Sequence, residues 1–189
     1  LDRIRTFTAV TGSSSLAGAS ATFNVTNTNG TYTAAINAAG TGFKVNETVT
    51  VVGANLGGAT SANNATVTVT SVGSSAATYT NPAQSGYGGS GSSATFNVTK
   101  TGTTYTVAIT AAGSGYTASE TITIVGAALN GATTANNATI TITGVNGSGG
   151  ITAATIAGTG LAEGPVTGVS IAGTGVTFAG TITRGMLVT

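Results

Sequence analysis

Seven residues, Ser20-Ala21-Thr22-Phe23-Asn24-Val25-Thr26, return unchanged as Ser93-Ala94-Thr95-Phe96-Asn97-Val98-Thr99, 73 positions further along the chain. The same offset carries Gly40-Thr41-Gly42-Phe43 onto Gly113-Ser114-Gly115-Tyr116 and Glu47 onto Glu120. It also carries Ala62-Asn63-Asn64-Ala65-Thr66 onto Ala135-Asn136-Asn137-Ala138-Thr139, without a gap and with about two-thirds of positions identical. This constrains the fold more than any composition does, because one local solution must serve both copies. A shorter echo follows: Ile151-Thr152-Ala153-Ala154-Thr155-Ile156-Ala157-Gly158-Thr159-Gly160 resembles Val166-Thr167-Gly168-Val169-Ser170-Ile171-Ala172-Gly173-Thr174-Gly175, offset by 15.

Within the first copy apolar residues alternate with Thr and Asn: Phe23 and Val25, then Tyr32, Ala34 and Ile36, then Val49 and Val51, then Val67 and Val69. Period two gives each strand one buried and one wet face, and β-branched Val and Thr suit a pleated surface. Asn27 to Gly30 falls where a hairpin turn is needed, and Gly40-Thr41-Gly42 punctuates the chain before the next strand. The segments 53–64 and 126–137 are too rich in Gly and Asn for a helix, and no stretch shows helical spacing. The expected fold class is all-β, built from tandem repeats of small antiparallel β-sandwich or β-rich modules with no significant helix. The expected organisation is an N-terminal extended segment (1–19), a first repeat (20–73), a Gly/Ser-rich connector (74–92), a second repeat (93–146) and a C-terminal β module (147–189). That last module is expected to continue in a longer parent chain.

Only 5% of the residues are charged, with five Lys and Arg against four Asp and Glu, and there is no Cys, His or Trp. Soluble proteins carry about 25% charged residues, so Thr, Ser and Asn must hydrate this surface. With 40% hydrophobic residues and a mean hydropathy of +0.34, the chain reads as folded rather than disordered. A net charge of +1 offers a phosphate backbone no basic stripe, so nucleic acid is not an expected partner. No apolar run approaches the roughly 20 residues that cross a bilayer, so no membrane is expected either. Without Cys or His there is no disulfide framework, no thiol or imidazole catalysis and no zinc or haem ligation, and no cofactor is expected. The four acidic residues, Asp2, Glu47, Glu120 and Glu163, are scattered and form no visible glycosidase pair. The chain is expected to be no enzyme.

Glu47 and Glu120, at matching positions, are weighed as calcium ligands but read as solvated strand-start carboxylates, because hard cations want several carboxylates. Asn24, Asn29, Asn46, Asn64, Asn97, Asn137 and Asn146 each open an Asn-X-Thr/Ser triplet, which a Thr-rich chain generates by composition. Tyr32 and Tyr105 lie on the inward phase of their strands and are core. Copies of about 54 residues with small side chains should be marginal alone, so stability is expected from packing repeat on repeat or from pairing with other subunits. Open strand edges are normally blunted by Lys or Pro, and this sequence has few of either. The residues proposed for assembly contacts are Arg3, Ile4, Arg5, Phe7 and Val10 in the N-terminal segment, with Tyr79 and Tyr87 in the connector.

The units Ala21-Thr22-Phe23-Asn24-Val25-Thr26, Gly113-Ser114-Gly115-Tyr116, Glu120-Thr121-Ile122-Thr123-Ile124-Val125-Gly126, Leu129-Asn130-Gly131-Ala132-Thr133 and Ala138-Thr139-Ile140-Thr141-Ile142-Thr143-Gly144-Val145 resemble repeats of virion structural proteins of tailed bacteriophages, especially marine phages of cyanobacteria. The closing Gly180-Thr181-Ile182-Thr183-Arg184-Gly185-Met186-Leu187-Val188-Thr189 is similar to the opening of a Gly-rich β repeat of such proteins. The resemblance covers most of the chain from residue 20 on and extends to fibres, capsid-associated proteins and large bacterial surface proteins. It implies a non-enzymatic virion component, a decoration, fibre or tail-associated protein, whose partners are copies of itself, other virion proteins and, as a further candidate, host-surface glycans. The alternative is a subunit of a bacterial extracellular filament or adhesin assembled by strand addition. In the family pattern Asp often stands at the positions of Asn24, Asn97, Asn64 and Asn137, and its replacement by Asn weakens a calcium reading further.

Overall fold

The alternating Thr and Val, Ile or Phe positions form strands almost throughout. A computed structural model describes residues 4–177, and among these the chain is all-β, with several small antiparallel sheets and no helix of seven or more residues. The strands are β1 (Ile4–Val10), β2 (Ser13–Ser14), β3 (Ala19–Thr28), β4 (Thr31–Thr41), β5 (Phe43–Lys44), β6 (Thr48–Val51), β7 (Ala65–Val72) and β8 (Ala76–Thr80). They continue as β9 (Gln84–Tyr87), β10 (Ser92–Thr101), β11 (Thr104–Ser114), β12 (Thr121–Ile124), β13 (Ala138–Val145), β14 (Ile151–Gly158), β15 (Glu163–Gly164) and β16 (Val166–Ala172). Two four-residue 3-10 turns, η1 (Gly53–Leu56) and η2 (Gly126–Leu129), stand in the long loops.

The chain divides into two units. Within the described residues the first comprises 4–71 and 166–177, and the second comprises 72–165. In the first unit one sheet has the order β1-β3-β4 and the other β16-β7-β6-β2. Phe23 and Val25 on one sheet and Val49, Val51, Val67 and Val69 on the other are all essentially inaccessible to solvent. Each contributes roughly 1.5–3 kcal/mol by leaving water. The β3–β4 hairpin closes on Asn29 and Gly30, whose φ values of 50° and 95° are those a tight two-residue turn with the strand twist requires. Leu56, in η1, is fully buried.

The second unit has sheets ordered β11-β10-β8 and β14-β13-β12-β9. Its core gathers Phe96, Val98, Tyr105, Ile122, Ile124, Leu129, Ile140, Ile142 and Ile151. The register of its central hairpin repeats that of the first unit, bulge included: Phe96 faces Ile109 after a shift at Thr95, as Phe23 faces Ile36 after a shift at Thr22.

The described C-terminal strands are shared between the two units rather than gathered in a third module. Ile151–Gly158 is the outer strand of the second unit's sheet, and Val166–Ala172 is the outer strand of the first unit's sheet. The 15-residue echo is thus two closing strands, one per unit. Their ends match in detail: Gly158 and Gly173 share φ 137°, and a Cβ on either would lie 2.5 Å from the carbonyl oxygen of Asn137 or Asn64. In the second unit, 146–150 is a short turn joining β13 to β14, with Asn146 Oδ1 accepting from Ser148 N (3.0 Å) and Gly150 N (2.9 Å). In the first unit the corresponding connection, β7 to β16, contains the whole second unit. The second unit therefore lies within the chain of the first rather than after it. The stretch 74–92 is correspondingly no connector but carries β8 and β9, one strand in each sheet of the second unit. Residues 1–19 likewise include β1 and β2, which are sheet members. Periodicity identifies a strand but is silent on which sheet receives it.

Candidate functional site

Of the proposed contact residues, Ile4, Arg5, Phe7 and Val10 lie on β1, and Arg3 lies outside the described residues, as does the chain from residue 178 on. Among the described residues β1 pairs with β3 on one side only, from Ile4 opposite Thr28 to Val10 opposite Phe23. Its other edge carries no Lys and no Pro. Ile4 is 65% exposed, and the Arg5 guanidinium lies 4.8 Å from the centre of the Phe7 ring. Gly57 lies against these two side chains: a Cβ there would be 3.0 Å from Arg5 Nη1 and 3.3 Å from Phe7 Cζ.

Tyr79 and Tyr87 stand elsewhere. Both pack against the core of the second unit, Tyr79 on β8 and Tyr87 on β9. The Tyr87 hydroxyl donates to Glu120 Oε2 (2.6 Å) and accepts from Gly91 N (2.9 Å), and its ring lies 5.3 Å from that of Tyr116. Burial and the hydrogen bond to Glu120 push the Tyr87 hydroxyl up.

The two matching carboxylates hold loops, and the expectation of solvated side chains fails for Glu47, which is 1% exposed. Glu47 Oε1 accepts from the Ser14 hydroxyl and from Gly18 N (2.8 Å), and Oε2 accepts from Lys44 N (2.9 Å). Burial pushes this carboxyl up, and the bonds from Ser14, Lys44 and Gly18 with the Lys44 charge outweigh it, leaving it below its ordinary value. Glu120 is held low by the Tyr87 hydroxyl and by Thr117 N, 2.9 Å away. Among the described residues no three His, Cys, Asp or Glu side chains converge as a metal site would need.

Asparagines organise the long loops, and several triplet asparagines are spent this way. Asn64 Oδ1 accepts from Gly53 N (2.8 Å) and Ser61 N (3.0 Å), and Asn137 Oδ1 accepts from Gly126 N (2.8 Å) and Thr134 N (3.0 Å). Their neighbours tie each loop to the closing strand's end: Asn63 Nδ2 donates to Thr174 O (3.0 Å) and Asn136 Nδ2 to Thr159 O (2.9 Å). Asn24 Oδ1 accepts from Ala9 N (2.9 Å), while its counterpart Asn97 Oδ1 is buried without a partner. β8 pairs with β10 without the bulge that β1 makes between Phe7 and Val10, and the N–H of Asn81, next after Thr80, is bonded instead to Phe96 O at 2.8 Å.

A further cluster escaped the sequence reading. Lys100, fully buried, donates to Glu163 Oε1 (2.9 Å) and to Leu161 O (3.1 Å), while Asn130 Nδ2 donates to Glu163 Oε2 (2.6 Å). In the first unit the position of Lys100 is taken by Asn27, also buried, whose Nδ2 donates to Val176 O (3.0 Å). The signal was available: Lys100 and Asn27 interrupt an otherwise near-identical stretch of the two copies.

No helix among the described residues is long and apolar enough to cross a membrane. Comparison with protein-family models, with curated proteins and with solved structures finds no match.

Proposed function

We propose that this chain is a non-enzymatic structural component of a bacteriophage particle, a decoration, fibre or tail-associated protein that works through subunit contacts. We read its two units as copies of one small β-sandwich module, with Thr, Ser and Asn faces turned to water. The observation that carries an assembly role is the edge of β1 left unpaired among the described residues, a seven-residue strand with Ile4 exposed and neither Lys nor Pro. Acidic side chains committed to loop backbones and to a buried ion pair support a structural reading over a catalytic one. On this reading the partners are further copies and other virion proteins, and the place of action is the virion.

The same edge supports a second reading, a bacterial extracellular filament or adhesin subunit in which a neighbour's strand adds to β1. Light scattering with negative-stain imaging separates the two. Discrete oligomers or particle-bound knobs are expected for the virion component, and long uniform filaments of this chain alone favour the extracellular polymer. The double variant Ile4→Lys with Thr8→Lys places charge on exposed β1 positions and should abolish either assembly while the circular dichroism spectrum is kept. Assembly that survives it removes β1 from the contact, and a protein that stays monomeric at high concentration and binds no particle removes the reading.

A further inference from the structure

In the second unit one carboxylate holds an amine and a carboxamide at its two oxygens. Lys100 Nζ sits 2.9 Å from Glu163 Oε1, and Asn130 Nδ2 sits 2.6 Å from Glu163 Oε2. The three residues come from distant parts of the chain: Lys100 from β10, Asn130 from the end of η2, and Glu163 from β15. The amine is fully buried and the carboxylate side chain 10% exposed. A Cβ on Gly160 would come within 2.9 Å of Lys100 Cδ and 3.2 Å of Tyr105 Cζ, so bare backbone and an aromatic ring close over the lysine stem.

A salt bridge alone does not call for this arrangement. Burying an ion pair is costly and is often matched by apolar residues of similar volume. Among its described residues the first unit holds no such pair: in sequence the 73-residue offset matches Lys100 and Asn130 to Asn27 and Gly57, and the 15-residue offset matches Glu163 to Phe178. All three positions differ together between copies that otherwise agree at most sites. What the second unit holds is an amine and a carboxamide hydrogen-bonded to the two oxygens of one carboxylate, so that a nucleophile and an acyl group share one proton carrier.

We propose that Lys100 and Asn130 become joined by an intramolecular isopeptide bond, with Glu163 as the catalytic proton carrier. Glu163 Oε1 takes one proton from the Lys100 ammonium, 2.9 Å away, giving a free amine and a carboxylic acid. The free amine attacks Asn130 Cγ, forming the new N–C bond and a tetrahedral centre. Glu163 gives its proton to the departing Nδ2, on which Oε2 already rests, and the C–N bond breaks. The lysine nitrogen sheds its extra proton to Glu163, which hands it to the leaving ammonia as it departs. The sum is ammonium plus carboxamide giving a secondary amide plus ammonium ion, with Glu163 unchanged and no oxidant, metal or nucleotide consumed. The amide N–H then has Leu161 O, 3.1 Å from Nζ, as its acceptor. The bond closes a loop from β10 to η2 within the second unit. It suits a particle or surface protein, which must survive without disulfides.

The test is the intact mass of the full chain, purified and then denatured. The expected mass lies about 17 Da, one ammonia, below that of the sequence, and Lys100→Arg and Glu163→Gln should each restore the sequence mass. Asn130-Gly131 is also a dipeptide that can lose ammonia by cyclising to a succinimide. Gly131 N, the nitrogen that would attack, is instead bonded to Gly126 O at 2.9 Å. Cleavage after glutamate distinguishes the two, because Glu120 lies between Lys100 and Asn130. A cross-linked pair of peptides, 48–120 with 121–163, is expected. Wild-type protein at the full sequence mass overturns the proposal whether or not the variants fold, and so does an ammonia loss that persists in Lys100→Arg.

Discussion

Replacing Asn137 by Ala tests how the long loops are held. Asn137 Oδ1 is the acceptor for Gly126 N at 2.8 Å and Thr134 N at 3.0 Å, so the truncation orphans two backbone donors. Thr134 is exposed and its N–H can turn to water, but Gly126 is buried. A buried donor left unpaired costs about 1–3 kcal/mol, so the expected loss is about 2 kcal/mol from the second unit. For a unit of this size each kcal/mol moves the midpoint by about 4–8 °C, which makes the shift about 8–16 °C. Calorimetry with urea unfolding measures both quantities. Asn64→Ala, which orphans Gly53 N and Ser61 N in the same way, is an internal replicate in the first unit. Asn137→Asp keeps two acceptor oxygens and should stay within about 0.5 kcal/mol of wild type. An Ala variant that changes stability by less than about 0.5 kcal/mol, or an Asp variant as damaged as Ala, would refute the reasoning.

Acid should weaken the fold through Glu47 and Glu120. Both are held below their ordinary values in the folded chain, so their stabilisation is complete above the unfolded value near 4.3 and fades as pH falls through the folded values. Urea unfolding across a pH series should show the decline, with a shallower slope in Glu47→Gln. Asn24→Ala should cost about 1 kcal/mol more than Asn97→Ala, because only the Asn24 oxygen has a partner to lose; equal losses by chemical denaturation would contradict the bond from Ala9 N. Ile140→Ala, at a position with no solvent exposure, should cost about 2–5 kcal/mol, measured by the same method.

Much of the candidate site was legible only as residue types. The matching Glu47 and Glu120 were visible from the repeat, yet nothing local said that Glu47 would be enclosed by Ser14, Gly18 and Lys44, because the first two arrive from 33 and 29 residues away. Tyr79 and Tyr87 lie among Gly, Ser and Asn, a linker composition. Their strands are short edge strands whose pairing, not composition, makes them β. Lys100 follows Phe96 and Val98 on the inward phase of its strand, but Glu163 is 63 positions away and nothing local pairs the two.

By itself the sequence determined the class and the local units: period-two alternation set which face of β3, β6 and β7 is buried, and the 73-residue offset matched the register of the β3–β4 and β10–β11 hairpins. Those are properties of neighbouring residues, fixed by the pleat and by side-chain size. Only the tertiary structure decided that the second unit lies within the chain of the first, that β14 closes one unit and β16 the other, and that Lys100, Asn130 and Glu163 meet. Each depends on which distant segment completes a sheet or covers a side chain. A strand carries the same alternating pattern whichever sheet it joins, so that choice is made by packing over the whole chain.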